Sequence, residues 1–248
     1  MTLPDPVGAD AAGPHLSALR PVAVHDSLRA QVADAVRAAL VAGSMSSGEV
    51  YSAPQLAERF GVSVTPVREA LLELVRDGLL VAVRNRGFRV ADPTDVELDA
   101  TSEVRLLLEP AAAERAARQP ADRRAAAERR LREAALAVTA AAEAEDVVAH
   151  VRADRAFHAA LLDLAGNAVL AETVLRLRDR SRLYGRGGDV AQDTLRQAAD
   201  EHDRLVDLVV AGDADGAREL MTGHVAHVRA EWSPGSGPGG SDRAPRRP

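Results

Sequence analysis

Apolar residues recur every three or four positions along most of this chain, and the breaks in that rhythm mark where its elements end. From about Ser27 to Ala42 the repeat Leu28, Val32, Val36 and Leu40 predicts a first helix. Ser52 precedes a short stripe of Leu56, Ala57 and Phe60, and Gly61 ends it by accepting a left-handed backbone that a Cβ resists. A second stripe follows at once: Val67, Ala70, Leu71, Leu74 and Val75. Ser63 or Thr65 offers a capping oxygen there, and Pro66 falls in the first turn, where its missing N–H costs nothing. After Gly78 the character changes to strand over Leu79 to Val83, a turn at Arg84-Asn85-Arg86-Gly87, and a returning strand Phe88-Arg89-Val90. Helix, turn, helix and hairpin in that order predict a winged helix-turn-helix.

Asp92-Pro93-Thr94 then breaks the chain, with Thr94 placed to cap the next helix, and the helical period runs almost to Trp232. Helices are expected near 95–118, 121–143, 146–164, 168–184, 190–211 and 214–231, separated by Gln119-Pro120, Glu145-Asp146, Gly166-Asn167, Gly185 to Gly188 and Gly212-Asp213. The reading is a mainly α chain: a winged unit over 21–92, with three helices and a β-hairpin wing, then an all-α bundle of about six helices over 93–232. Residues 1–20 and 233–248 are rich in Pro, Gly, Ala or Ser without periodicity, and flexible tails are expected there.

Composition narrows the classes. Hydrophobic residues make up 46% of the 248 positions but aromatics only 2%, so the cores must be aliphatic. With no cysteine, disulfides, thiolate metal sites and cysteine nucleophiles are excluded. No apolar run reaches the length of a membrane span, and the first residues lack the basic-then-apolar order of a signal peptide, so a soluble cytoplasmic protein without a membrane partner is expected. The net charge of −6 does not oppose nucleic-acid binding, because the local balance decides: residues 21–91 hold eight arginines against seven acids. All 31 cations are arginine.

Two sets of residues carry candidate chemistry. The second helix of the winged unit presents Ser63, Val64, Thr65 and Arg68 at its N-terminal end, the part of a recognition helix that meets base edges and phosphates. Arg84 and Arg86 beside Gly87 suit a wing that enters a minor groove or contacts phosphate. The plainer alternative is a three-helix module for protein contacts.

The second set lies in the bundle. The stripe Val147, Val151, Asp154, His158, Leu161, Leu162 and Ala165 is apolar except for one acid and one imidazole a turn apart, and single histidines interrupt two more stripes at His202 and His224. An inward carboxylate needs compensation, and a divalent metal would supply it. His202 lies ten residues before Gly212 and His224 twelve after it, so a bend at Gly212-Asp213 brings both to similar height, roughly 15–18 Å from the turn at about 1.5 Å per residue. Asp154, His158, His202 and His224 are therefore the expected metal ligands. Nitrogen and carboxylate donors suit zinc, nickel, copper, manganese or iron, with zinc or nickel foremost. Hydrogen-bonded core histidines are the alternative. His150 and His227 are substitutes that fit the inward stripes less well, and His15 and His25 lie outside the bundle.

GVSVTPVREALLELVRDGLL followed by RGFRV resembles the DNA-binding domain of the GntR family of bacterial transcription regulators. The resemblance implies that Ser52, Ser63, Thr65, Arg68 and Gly87 face DNA, and Arg86 joins them as a cation at the wing. Val64 stands where the family usually has an arginine, and Ala53 where it usually has an acid, so an altered operator or a weaker half-site is expected. DRAFHAALLDLAGN, EHDRLVDLVVAGDADGARELMTGHV and EVRLLLEPAAAERAA resemble the all-helical FCD effector domain of the FadR subfamily. Many members hold a metal through one Asp and three His, which correspond to Asp154, His158, His202 and His224. The resemblance further implies a small carboxylate effector beside the metal, lined by Arg105, which read by itself is equally a surface cation on the helix 95–118. A homodimer that grips an operator duplex is expected, most simply as a repressor relieved by the effector, with activation as the alternative. Rival readings are a regulator for which the metal itself is the signal, a bundle that holds a bulky acyl ligand and no metal, and a metal-dependent hydrolase or lyase.

Overall fold

In the computed structural model, residues 28–182 and 192–231 are described. The expected tails, the turn at Gly185 to Gly188, His15 and His25 fall outside them. Among the described residues the order is α1 (Leu28–Val41), β1 (Val50–Tyr51), α2 (Ala53–Phe60), α3 (Val64–Arg76), β2 (Leu80–Val83), β3 (Gly87–Val90), α4 (Asp95–Ala117), α5 (Ala121–Glu143), α6 (Val147–Ala165), α7 (Ala168–Arg182), α8 (Gln192–Ala211) and α9 (Ala214–Glu231).

Local chemistry sets most of these limits. Ser52 and Gln55 form a reciprocal capping box at the start of α2, and Gly61 closes that helix at φ 67°. Thr94 and Glu97 do the same for α4. Ser63 holds the cap position of α3, but its hydroxyl takes no capping hydrogen bond, contrary to expectation. The Ser63 side chain is instead left exposed at the helix tip.

The wing is a three-stranded antiparallel sheet in the order β1-β3-β2, not the two-stranded hairpin expected. The added strand pairs Val50 with Arg89 and Tyr51 with Phe88. At Gly87, φ is 128° and a Cβ would collide with the Tyr51 carbonyl, so the third strand is what demands glycine at this position.

Among the described residues two large aliphatic cores result, with a small third cluster of Ala112, Leu162 and Val174. One joins Val32, Val36, Leu40, Val67, Leu71, Leu74, Leu80 and Phe88 beneath the winged unit. The other fills the bundle with Leu131, Val138, Leu161, Leu205, Val209 and Met221, interleaved with many alanines and one aromatic, Phe157. Small side chains let the helices approach closely, so the bundle packs densely with few rings. Helix α6 belongs to both: Val147, Val148 and Val151 in its first turns rest on the core of the winged unit. Further along, the same helix carries Asp154 and His158 into the bundle.

Candidate metal centre and nucleic-acid interface

At the N-terminal end of α3, Ser63, Val64, Thr65 and Arg68 are all exposed, while Val67, Ala70, Leu71 and Leu74 anchor the opposite face. Arg84 and Arg86 are exposed on the turn between β2 and β3, where Asn85 adopts φ 58°. Ser52 is half-buried with its hydroxyl on Gln55 Oε1 at 2.8 Å, and Gly87 is half-buried against β1. The tip of α3 and the wing therefore present cations and hydroxyls, and Ser52 and Gly87 shape the backbone between them.

In the bundle, Asp154, His158, His202 and His224 are buried and meet: one donor atom from each lies within 4.8 Å of the others. His158 Nε2 is 3.0 Å from His202 Nε2, and Asp154 Oδ1 is 3.5 Å from His202 Nε2 and 3.8 Å from His158 Nε2. The His202 and His224 ring centroids are 4.9 Å apart, as equal heights on either side of the Gly212 bend require. Donors held at about 2.1 Å from a shared cation stand roughly 3.0–3.4 Å apart for right-angle to tetrahedral geometry. The separations among Asp154, His158 and His202 fall close to that range, with the His224 donor within 4.8 Å of them, and three imidazoles with one carboxylate are a donor set that a divalent transition metal accepts. The four residues thus form a buried group that could hold a metal.

The surroundings are equally specific. Arg178 donates from Nη2 to Asp154 Oδ2 at 2.7 Å and from Nη1 to Glu109 Oε2 at 2.5 Å. Arg105 donates from Nε to Glu109 Oε1 at 2.6 Å and from Nη1 to Ser181 Oγ at 2.8 Å. All four of these charged side chains, Arg105, Glu109, Asp154 and Arg178, are buried. Burial pushes the Glu109 carboxyl up, but Arg105 and Arg178 outweigh it and hold it below the usual range. Burial, then the nearby Arg178 cation, pushes His158 well below the ordinary imidazole value, which keeps it neutral and able to donate a lone pair. His224 Nδ1 lies 2.7 Å from Glu201 Oε2, an N–H···carboxylate contact that turns Nε2 toward the cluster. His150 is buried outside this group, and His227 is half-buried with Nδ1 3.6 Å from Glu201 Oε1.

Two family models match along the chain. Residues 28–90 match the bacterial regulatory proteins of the gntR family, and residues 100–227 match the FCD domain. This chain belongs to the GntR family and carries an FCD domain. The regulator is 30% identical over 202 residues to the probable D-xylose utilization operon transcriptional repressor of Paenarthrobacter nicotinovorans, covering 81% of this chain and 86% of that one. It is 29% identical over 230 residues to the putative L-lactate dehydrogenase operon regulatory protein of Escherichia coli, covering 80% and 83%. Among solved structures, Escherichia coli McbR/YncC superposes with a TM-score of 0.67 at 25% identity, over 84% of this chain and all of that one. The matched families and relatives are transcriptional regulators, which sets aside the hydrolase or lyase alternative.

Sequence reasoning brought the four inward residues of this GntR regulator together but missed Glu109, Arg178 and Glu201. A signal for Glu201 was present, since it lies eleven residues before Gly212 and so matches His224, twelve after, in height along the hairpin. Arg178 gave none, being one arginine among 31. If Glu201 orients His224, then Glu201→Gln lowers zinc affinity about 10–100-fold, read by chelator competition. An unchanged affinity would remove the carboxylate from that role.

Proposed function

We propose that this GntR regulator binds a pseudo-palindromic operator as a homodimer, holds a divalent metal in its bundle, and releases DNA when a small carboxylate joins the metal. The observation that carries the reading is the buried Asp154, His158, His202 and His224 cluster, joined to the buried Arg105 through Glu109. Arg105 supplies the anion-binding part: among the described residues its buried Nη2 meets no hydrogen-bond acceptor, a donor that a carboxylate would satisfy. Zinc and nickel fit the donor set best, and a bound ion would act as a Lewis acid toward the effector. Repression agrees with the name of the D-xylose relative, and a small hydroxy acid with that of the L-lactate operon relative.

On the DNA side, Ser63, Thr65 and Arg68 would read base edges and phosphates in the major groove, with Arg86 at the wing and with Ser52 and Gly87 holding the approach. Val64 in place of the usual arginine lowers the number of charged contacts. Dimerisation is favoured by the outer face of α4, where Val104 and Leu107 are exposed three residues apart. The winged unit would span 21–92 and the effector domain 93–232.

Elemental analysis of purified protein and a thermal-shift screen of small carboxylates, with and without metal, test the sensing half. A bound ligand raises the melting temperature, and a protein that takes up no metal even after reconstitution would end the metal assignment. For DNA, Arg68→Ala should weaken binding to a selected duplex by about 1–3 kcal/mol, about 5–150-fold, with metal content unchanged. Equal affinity of the variant and the parent would place the reading surface elsewhere.

A further inference from the structure

The last turn of α7 touches both halves of the molecule with consecutive side chains. Arg178 turns into the bundle, where it is held by Asp154 and Glu109. Asp179, about 100° further round the helix, faces α1 and lies 3.3 Å from Arg37 Nε, with Arg155 Nε at 2.9 Å on its other side. Arg180 lies along Gly78, in the turn that follows α3; its Cδ is 3.7 Å from where a glycine Cβ would be. Ser181 accepts from Arg105.

Arg37 is the receiving end. Its guanidinium is half-buried and surrounded by four acids: Asp179 on α7, Asp77 at the C-cap of α3 at 3.0 Å, the exposed Asp34 at 3.1 Å and Glu73 of α3 at 3.6 Å. The Asp77 and Asp179 side chains are only 11% and 7% exposed, so water does not screen these pairs and their geometry is set by where the helices sit. A cavity of about 200 Å³ between α1, α6 and α7 is lined by Arg37 and Val41 on one side and by Asp154 and Arg178 on the other. Little packing holds α1 to α7 there apart from the ionic contact.

We propose that Asp179 is the positioning residue through which the state of the metal centre sets the orientation of the winged unit. Arg178 and Asp179 share one stretch of backbone. Asp154 divides its charge between Arg178 and whatever occupies the cluster, so a change in occupancy alters its hold on Arg178 and shifts the end of α7. Asp179 carries that shift to Arg37, and Arg37 to the C-terminus of the recognition helix. This rests on the cluster binding a metal and on α3 binding DNA, as proposed above.

The test uses the full-length protein, zinc as the probe, and a duplex selected in vitro for binding. Duplex affinity is measured with and without zinc, and zinc affinity with and without duplex, since coupling between two sites is reciprocal. In the parent, filling the cluster with zinc, the change of occupancy that precedes any carboxylate, is expected to change duplex affinity at least about fivefold, beside the further change that the carboxylate brings. In Asp179→Asn the factor falls below about twofold, while zinc affinity without DNA stays within about threefold of the parent. Arg37→Gln, which removes the other end of the contact, gives the same loss and serves if the first variant does not fold. Arg155→Gln leaves Asp179 on Arg37 and keeps the parental factor.

A parental factor in Asp179→Asn overturns the proposal, and so does loss of coupling in Arg155→Gln equal to that in Asp179→Asn. If zinc binds the parent tightly without altering duplex affinity, the relay is wrong and the metal centre stands. If zinc does not bind, or no duplex is selected, the underlying reading has failed and the relay falls with it.

Discussion

His202→Ala is expected to lower zinc affinity by about 10²–10³-fold. A structural zinc site contributes roughly 10–16 kcal/mol, and one ligand of four accounts for about a quarter of that. His202 is the residue to choose because its Nε2 lies 3.0 Å from His158 Nε2 and 3.5 Å from Asp154 Oδ1, so its loss opens the centre of the group and not its rim. Isothermal titration or chelator competition on the purified variant measures the effect. A variant that binds zinc as tightly as the parent would mean that these histidines are hydrogen-bonded core residues, the alternative that each taken singly allows.

Arg178→Met should cost the metal-free protein about 3–5 kcal/mol, because the methionine fills the space but leaves Asp154 buried without its guanidinium and Glu109 with only one of its two. At about 2–4 °C per kcal/mol for a chain of this size, the melting temperature falls by roughly 6–20 °C. Zinc should recover part of this loss, since a cation in the cluster offsets the uncompensated charge of Asp154. The recovery separates a compensating cation from general stabilisation. A metal-free variant melting within about 2 °C of the parent would show that the buried carboxylates do not depend on this arginine.

These two substitutions draw on different kinds of information. His202, with Asp154, His158 and His224, was legible because each sits on an otherwise apolar helical stripe, and a side chain on such a stripe has nowhere to point but inward. Their convergence followed from counting residues on either side of Gly212. The helix limits were legible for a similar reason: Ser52, Gly61, Thr94 and Gly166 act on backbone groups within three or four residues, so their effect is local. The FCD and GntR resemblances rested on the same segments that the family models match.

Arg178, Glu109 and Asp179 were not legible. An arginine on a helix ordinarily reaches solvent, and only the packing of α4, α6 and α7 against one another places Arg178 beyond water and between two carboxylates. Strand β1 was hidden for the same reason. Two residues, Val50 and Tyr51, carry no period, and they become a strand only because β3, nearly forty positions later, offers them hydrogen bonds.

The sequence by itself determined the helices and the β2–β3 hairpin, their inward faces and the four residues that meet in the bundle, because periodicity and capping act over a few residues of chain. Only the tertiary structure decided which charges are buried together and how the last turn of α7 reaches α1. Those contacts join segments far apart in the chain, and their strength comes from the exclusion of water, which no single segment possesses.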